Sequence, residues 1–419
     1  MPGQYRGTVT TSTTAPAAPG DAPALDRRRL VGMSWAHLLN DGAANYLPGV
    51  LPAVLVSLHE PVRMAGVLIA ALTIGQALQP LTGWMADRIG GRALVVTGLT
   101  VSSLGGGLFG VAHSSWLLVV LLLAVGTGNA LFHPQALAGV RSLVHGRHGF
   151  LTSAFLVGGE LGRGIWPTAA SLVVSHLGLE YLWLVGLPGL ATVPLLARTA
   201  PRLAARTGAH QPVQWRRHTR PMAVLITYQS IKALAIYALS TFIPILWHLH
   251  GGSLVSGASI ITVMLVVGVI GNLYGGHLAD QIGRLRVLVA SSLATAGLII
   301  PIIYLHGAWI WITAAPLGIV LFLTMSSTIL IGQDIFPENR SMGSGIALGL
   351  ANGIGALLVL AIGQTVNNND LTIPLWVIAG LSAATGPLAA AFPDDLVGPR
   401  RSGWGSGHAP AGHERSPAR

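Results

Sequence analysis

From Leu30 onward the chain alternates long apolar runs with short polar breaks. The runs fall at about 30–55, 64–86, 92–112, 115–137, 149–175, 181–197, 222–247, 256–279, 286–305, 308–333, 342–366 and 371–392. Most have the ~20 residues that an α-helix needs to cross a ~30 Å hydrocarbon core. Twelve such runs predict an all-α integral membrane protein with twelve transmembrane helices. The longest internal break, 198–221, carries Arg198, Arg202, Arg206, Arg216, Arg217 and Arg220 and divides the runs six and six. The expected organisation is a disordered tail over 1–29, a six-helix bundle over 30–197, a linker over 198–221, a second bundle over 222–392 and a disordered tail over 393–419.

The two halves also repeat a phrase. Gly83-Trp84-Met85-Ala86-Asp87-Arg88-Ile89-Gly90-Gly91-Arg92 stands between the second and third runs. Gly276-His277-Leu278-Ala279-Asp280-Gln281-Ile282-Gly283-Arg284 stands between the eighth and ninth. Both read G-x-x-x-D-x-x-G with an Arg following. One copy is an ordinary tight turn; two at matching places argue for duplication of a six-helix unit. In such a loop the Gly allows close helix approach and the Asp can accept hydrogen bonds from a neighbouring helix N-terminus. The Arg residues are expected at the membrane surface.

Composition agrees with this class and removes others. Of the 419 residues 52% are hydrophobic and only 9% charged, with a mean hydropathy of +0.63, against ~25% charged in soluble domains. The absence of cysteine excludes disulfides, a thiolate nucleophile and cysteine-ligated metal. A net charge of +10 suggests a nucleic-acid partner only until the arginines are placed. Of the 24 Lys and Arg residues, 21 fall in the tails and alternate loops on one side; Arg63 falls on the other, and Arg163 and Lys232 lie inside runs. The positive-inside bias therefore explains the charge. It predicts cytoplasmic termini, a multi-pass protein of the plasma (inner) membrane, and no nucleic acid. Residues 1–26 lack the apolar core of a signal peptide, and Arg27-Arg28-Arg29 reads as the cytoplasmic flank of the first helix rather than a twin-arginine signal.

Polar residues inside the runs are the candidates for chemistry, because charges at membrane depth normally face a cavity or a partner. Glu160 lies ten residues beyond Phe150, hence ~15 Å deep and near the bilayer centre. Arg163 is three residues on, so the two share a helix face, and they are expected to pair. Gly158, Gly159, Gly162 and Gly164 beside them would admit a close neighbouring helix. In the first run His37, Asp41 and Asn45 recur every four residues and form one stripe. Lys232, the only lysine, sits ten residues into the seventh run. It is either the partner of a buried carboxylate or a contact for an anionic substrate. His133 precedes Pro134 and Gln135; Pro134 removes a backbone hydrogen bond and is expected to open the helix locally. His133 itself is either a group that changes charge near neutral pH or a packing residue. Asp334 ends the tenth run and is either a gating carboxylate or part of the transport route.

These pieces together resemble the major facilitator superfamily and, more closely, its fosmidomycin-resistance branch. The residues that carry the resemblance are SWAHLLNDG (Ser34–Gly42), GTGNALFHPQ (Gly126–Gln135), GRHGFLTSAFLVGGELG (Gly146–Gly162), the Lys232 segment and GQDIFPENRSMGSGIALG (Gly332–Gly349). The resemblance implies two bundles rocking about a central cavity and export of a small toxic compound by proton antiport. From their depth and charge, Asp41, Glu160 and Asp334 are expected to couple protons, and Asn40, His133, Gln135, Arg163 and Lys232 to contact substrate. The chain departs from the branch where Gln135 replaces a Glu and Glu160 replaces an Asn.

No enzyme is expected. GGELGRG and Gly105-Gly106-Gly107 lack the strand–loop–helix setting and the Gly-Lys-Ser/Thr of a phosphate loop. No cofactor and no metal centre are expected; the outer-loop histidines His59, His113, His176, His248, His250 and His306 match no zinc spacing. The expected partners are a small molecule, protons and the lipid bilayer, with the chain working as a monomer. Two alternatives stay open: a proton-coupled uptake carrier for a small anionic metabolite, and a transport-inactive membrane receptor or assembly protein.

Overall fold

The computed structural model describes residues 26–89, 91–143, 148–201, 215–337, 340–366 and 370–398. It is all-α. In chain order the helices are α1 (Arg27–Asn45), α2 (Leu47–Ser57), α3 (Met64–Gln76), α4 (Gln79–Ile89), α5 (Arg92–Gly107), α6 (Ser115–Leu143), α7 (His148–Leu177) and α8 (Trp183–Thr199). They continue with α9 (Trp215–Leu249), α10 (Leu254–Ile282), α11 (Arg284–Tyr304), α12 (Trp309–Phe322), α13 (Met325–Ile335), α14 (Arg340–Gly345), α15 (Ala351–Gly363) and α16 (Thr372–Ala389). A π-helical turn over Ile346–Leu350 joins α14 to α15.

Several expected segments are broken rather than straight. The first divides at Tyr46 into α1 and α2, with Pro48 in the first turn of α2, where a missing N–H costs nothing. The second divides into α3 and α4, and the tenth into α12 and α13. Among the described residues nine helices are long and apolar enough to cross a membrane. The helices of the first, fifth and eleventh expected spans are not among the nine. The first and fifth carry Asp41, Glu160 and Arg163, and the eleventh holds the π turn.

Three expected boundaries need correcting. The linker 198–221 is shorter, because α8 runs to Thr199 and α9 begins at Trp215; exposed Arg216, Arg217 and Arg220 are good helix formers that extend α9 towards water. The rest of the linker, 202–214, lies outside the described residues, as do 1–25 and 399–419 of the two tails. Helix α1 starts inside the expected N-terminal tail, capped by Asp26, whose carboxylate accepts from the Arg29 backbone N–H at 3.1 Å. The start of the C-terminal tail is packed: Leu396 and Val397 are buried, and the Leu396 carbonyl accepts from Arg284 at 2.9 Å.

The packing of the halves differs between the two ends. At the end carrying Glu60, Ser115 and the turn after Tyr304, one apolar cluster contains residues of both halves, from Leu47, Leu51 and Leu68 to Phe242, Ile261 and Val359. At the end carrying the termini the core separates in two. Met33, Leu99, Phe132 and Phe155 form one cluster, and Leu225, Tyr228, Ile331 and Phe336 form the other. Among the described residues, the buried apolar core is therefore shared by the halves at one end and divided between them at the end that carries the chain termini.

Candidate functional site

The α1 stripe becomes the centre of a charged cluster. The Asp41 carboxylate is buried and collects groups from three helices. Asn129 Nδ2 of α6 donates to Oδ1 at 3.1 Å, and His133 Nε2, also of α6, lies 3.1 Å from the same oxygen. Arg163 Nη2 of α7 lies 3.2 Å from Oδ2, and His37 Nε2 of α1 lies 3.5 Å from it. Asn40 Nδ2 adds a 3.3 Å contact to Oδ1. Asn45 closes the stripe: its amide donates to the Asp41 carbonyl at 2.9 Å and its Oδ1 accepts from Gln76 at 3.2 Å.

Small residues and a proline bring these helices together. A side chain at Gly162 would strike the Leu38 carbonyl, and one at Gly158 would come within 2.7 Å of the Ser34 carbonyl. The glycines of α7 thus seat it against α1, the close approach their spacing suggests. The local opening expected at Pro134 is not observed; α6 stays helical through it. Pro134 cannot donate to the Ala130 carbonyl, and Thr82 Oγ1 of α4 donates there instead, at 2.6 Å.

The expected pairing of Glu160 with Arg163 is replaced by two separate attachments. Arg163 turns to Asp41, while Glu160 Oε1 accepts a hydrogen bond from Asn272 of α10 in the other half. Three residues of spacing place two side chains on one helix face, but neighbouring helices decide which way each turns. Asn272 is itself tied to Ser326, whose Oγ donates to its carbonyl oxygens at 3.3 Å. Below this contact α7 and α10 also meet through Thr168 and Thr262, 2.7 Å apart. Among the described residues neither Oε2 of Glu160 nor Nε of Arg163 has a hydrogen-bond partner, though both are buried.

Lys232 has no carboxylate partner among the described residues in this structure. Its Nζ donates to Ser291 Oγ at 2.9 Å, Thr295 Oγ1 at 3.3 Å and the Val320 carbonyl at 3.3 Å. Gln135 lines neither cavity between the halves: it is buried and donates to the Thr82 carbonyl at 3.1 Å, tying α6 to α4. Asp334 is likewise outside the cluster, 2.8 Å from Arg284 Nη1.

In the doubled loop the second copy is the better described. Gly283 has φ +91°, which only glycine adopts without strain, and it turns α10 into α11. Asp280 is exposed rather than capping a neighbouring helix. Arg284, expected at the surface, is buried, because Asp334 and the Leu396 carbonyl compensate its charge. Gly276 faces Ser326, and a Cβ added there would stand 3.6 Å from the Ser326 Cβ, an ordinary van der Waals contact. In the first copy Gly83 lies 3.9 Å from Pro134 on the same measure, and Arg92 donates to the Ala197 carbonyl. The side chains of Asp87 and Arg88, and all of Gly90, lie outside the described residues, as do the side chains of Arg141, His145, Arg147 and His148.

Two small cavities lie between the halves, each lined by residues of both. Arg163, Ile236 and Tyr237 line both. The first adds Asn45, Thr73 and Ser240; the second adds Gln229, Lys232 and Asn352. Each cavity is walled mainly by apolar side chains with a few converging polar groups, the composition of a small-molecule site. Asn129, Tyr237 and Asn272 escaped the sequence. Asn129 alone left a signal there, four residues before His133, the same spacing that joins His37 to Asp41.

A helical protein whose two halves enclose buried charges and cavities in this way is a multi-pass membrane transporter. The chain belongs to the major facilitator superfamily, whose family model matches residues 33–360. It is 27% identical over 391 residues to an uncharacterized MFS-type transporter, YfnC of Bacillus subtilis (strain 168), covering 87% of this chain and 93% of that protein. It is 24% identical over 380 residues to the fosmidomycin resistance protein of Escherichia coli (strain K12), with the same coverage, 87% and 93%. The fold is similar to that of a bacterial homologue of the lysosomal transporter Spinster in an inward-facing, occupied conformation. There the TM-score is 0.73 at 16% identity, covering 90% of this chain and 99% of the other.

Proposed function

We propose that this protein exports a small anionic or zwitterionic toxic compound by proton antiport with alternating access. The observation that carries the proposal is the second cavity, in which Arg163 from one half and Lys232 from the other line the same space. Arg163 has its carboxylate in Asp41, whereas Lys232 is held only by neutral oxygens. A buried ammonium without a counter-ion is costly, and an anionic group on the substrate offsets that cost. One relative is a fosmidomycin resistance protein, which agrees with a compound of this kind.

Glu160 is the group we assign to coupling. It lies where the halves meet, and its bond to Asn272 joins α7 to α10. Ionised, Glu160 accepts a charge-assisted hydrogen bond that is roughly twice as strong as a neutral one. Proton binding weakens that link and leaves Arg163, one turn away, with Asp41 as its only acidic neighbour on this face. Loading and release of the proton would in this way be felt at the seam between the halves. With the arginine-rich loops on the cytoplasmic side, the end at which the described apolar core is divided is the cytoplasmic one.

Two measurements test this. Susceptibility profiling of cells with and without the protein should reveal sensitisation to small anionic or zwitterionic inhibitors. In proteoliposomes, an imposed pH gradient should drive net flux of such a compound against the proton flow. Flux in the same direction as protons would make the protein an uptake carrier, and flux indifferent to the gradient would remove the coupling altogether. Labelling of the 198–221 segment by an impermeant reagent from outside would reverse the orientation.

A further inference from the structure

His37, Asp41 and His133 converge in a way that proton coupling through Glu160 does not use. His37 Nδ1 is 2.8 Å from the Phe155 carbonyl, and His133 Nδ1 is 3.0 Å from the Asn129 carbonyl. A carbonyl only accepts, so each Nδ1 carries the ring proton. Both Nε2 atoms are then bare in the neutral rings, with their lone pairs directed inward. They lie 3.2 Å apart. The Asp41 carboxylate faces them both, at 3.1 Å from His133 and 3.5 Å from His37. Three acceptors this close cannot satisfy one another; they require an electrophile between them.

We propose that His37, Asp41 and His133 form a binding site for one zinc-class divalent metal ion. Zinc bonds of ~2.0–2.1 Å to nitrogen and ~2.0–2.2 Å to oxygen set the edges of a tetrahedron at ~3.3–3.5 Å. The two Nε2 atoms, 3.2 Å apart, come close to that edge; His133 faces Asp41 Oδ1 at 3.1 Å and His37 faces Oδ2 at 3.5 Å, so the two rings meet the carboxylate through different oxygens. All the ligand atoms of the triad lie within 4.8 Å of one another. The carbonyls on each Nδ1 are the outer partners that hold metal-ligating imidazoles in one tautomer and one orientation. His37 and Asp41 are buried, while the His133 side chain is 22% exposed; that open side leaves the fourth position for water. Two imidazoles and a carboxylate suit zinc better than the hard cations calcium and magnesium.

Arg163, 3.2 Å from Asp41 Oδ2, opposes a dication. Its neighbour Glu160 on the same helix is a second carboxylate, which offsets part of that repulsion. Affinity below that of closed four-ligand structural sites follows from the guanidinium and the three-residue ligand set. The Asp41 oxygens would be shared between the ion and Arg163. The ion would fasten α1 to α6 within the first half.

The test uses the purified full-length protein in detergent, prepared without a polyhistidine tag and stripped with a chelator. Titration with Co2+ should give the intense visible absorption of a tetrahedral ion at one equivalent, and Zn2+ should abolish it. His37→Gln and His133→Gln should each lower affinity at least 10-fold, while His250→Gln with His306→Gln leaves it unchanged. If the buried substitutions prevent folding, the Co2+ spectrum of the unaltered protein still decides. An octahedral spectrum or none at one equivalent overturns the proposal, as does undiminished binding in folded His37→Gln protein. A triad that holds only a proton would give that negative result. Since metal binding is read without transport, its failure and the failure of the export proposal are separable.

Discussion

Arg163, half-buried, and Lys232, buried, line one cavity from opposite halves, and they are accommodated in opposite ways. Arg163 is held by charge: Asp41 faces it at 3.2 Å, backed by the amides of Asn40 and Asn129. Lys232 is held by neutral oxygens alone. A guanidinium inside a network of this kind is part of the fold, since removing it leaves a buried carboxylate to the amides of Asn40 and Asn129 and the two histidines. An ammonium whose neighbours are hydroxyls can be removed without stranding anything. Ser291 already donates to the Val320 carbonyl at 2.5 Å, and Thr295 to the Ser291 carbonyl at 2.7 Å. The contrast assigns structure chiefly to one residue and ligand binding chiefly to the other.

The largest expected effect breaks this comparison directly. Arg163→Ala leaves Asp41 ionised and without its guanidinium, a defect of about 3–5 kcal/mol. Its thermal transition in detergent should fall steeply. Lys232→Met should melt no lower than the unaltered protein, and higher if the desolvation cost dominates. Binding of an anionic substrate should nevertheless weaken by about 10-fold or more, ~1.4 kcal/mol. Equal losses of stability in the two variants would show that Lys232 is structural after all.

The next effect concerns the seam. Glu160→Gln keeps a hydrogen bond to Asn272 but cannot take up a proton. Substrate binding should persist while proton-driven flux is lost; Asn272→Ala should slow flux and leave binding intact. Flux against pH, measured beside equilibrium binding, separates these outcomes. Retained pH-driven flux in Glu160→Gln would pass the coupling role to Asp41.

A smaller effect is expected away from the cavities. Arg284→Ala removes a buried charge that holds Asp334 and the Leu396 carbonyl, so the chain after α16 should loosen. Asp334→Ala should be nearly as harmful to stability, because it leaves Arg284 buried and unpaired, a defect of a few kcal/mol. Neither should alter substrate affinity, which equilibrium binding would check. A change in affinity would return Asp334 to the transport route.

What was legible in the chain follows from the range of each interaction. Apolar runs of ~20 residues announce membrane helices because the bilayer sets their length. The His37–Asp41–Asn45 stripe was legible because positions four apart share a helix face. Helix-to-helix choices were not legible. Nothing in the spacing of Glu160 and Arg163 says that one turns to Asn272 in the other half and the other to Asp41. The straight course of α6 through Pro134 depends on a hydroxyl from Thr82, 52 residues earlier in the chain. The breaks at Tyr46 and after Gln76 likewise lie inside runs that read as continuous.

The smallest effect sharpens the comparison of the two halves through their shared phrase. Asp280 is exposed, and its neighbour Gln281 is engaged with His277 at 3.0 Å rather than with the other half. In the second copy the buried, paired residue is Arg284, so the structural weight of that loop has moved four positions along. Asp280→Asn should therefore shift stability by no more than ~0.5 kcal/mol, the range of ordinary surface substitutions, and leave flux within about twofold of the unaltered protein. We propose that the first copy keeps the phrase's conformational role, in which case Asp87→Asn should slow cycling without weakening binding. Flux and equilibrium binding measured on both variants decide the matter. Equal impairment would mean that the exposed Asp280 acquires a partner in another state of the cycle, and equal indifference would reduce the repeat to a marker of topology.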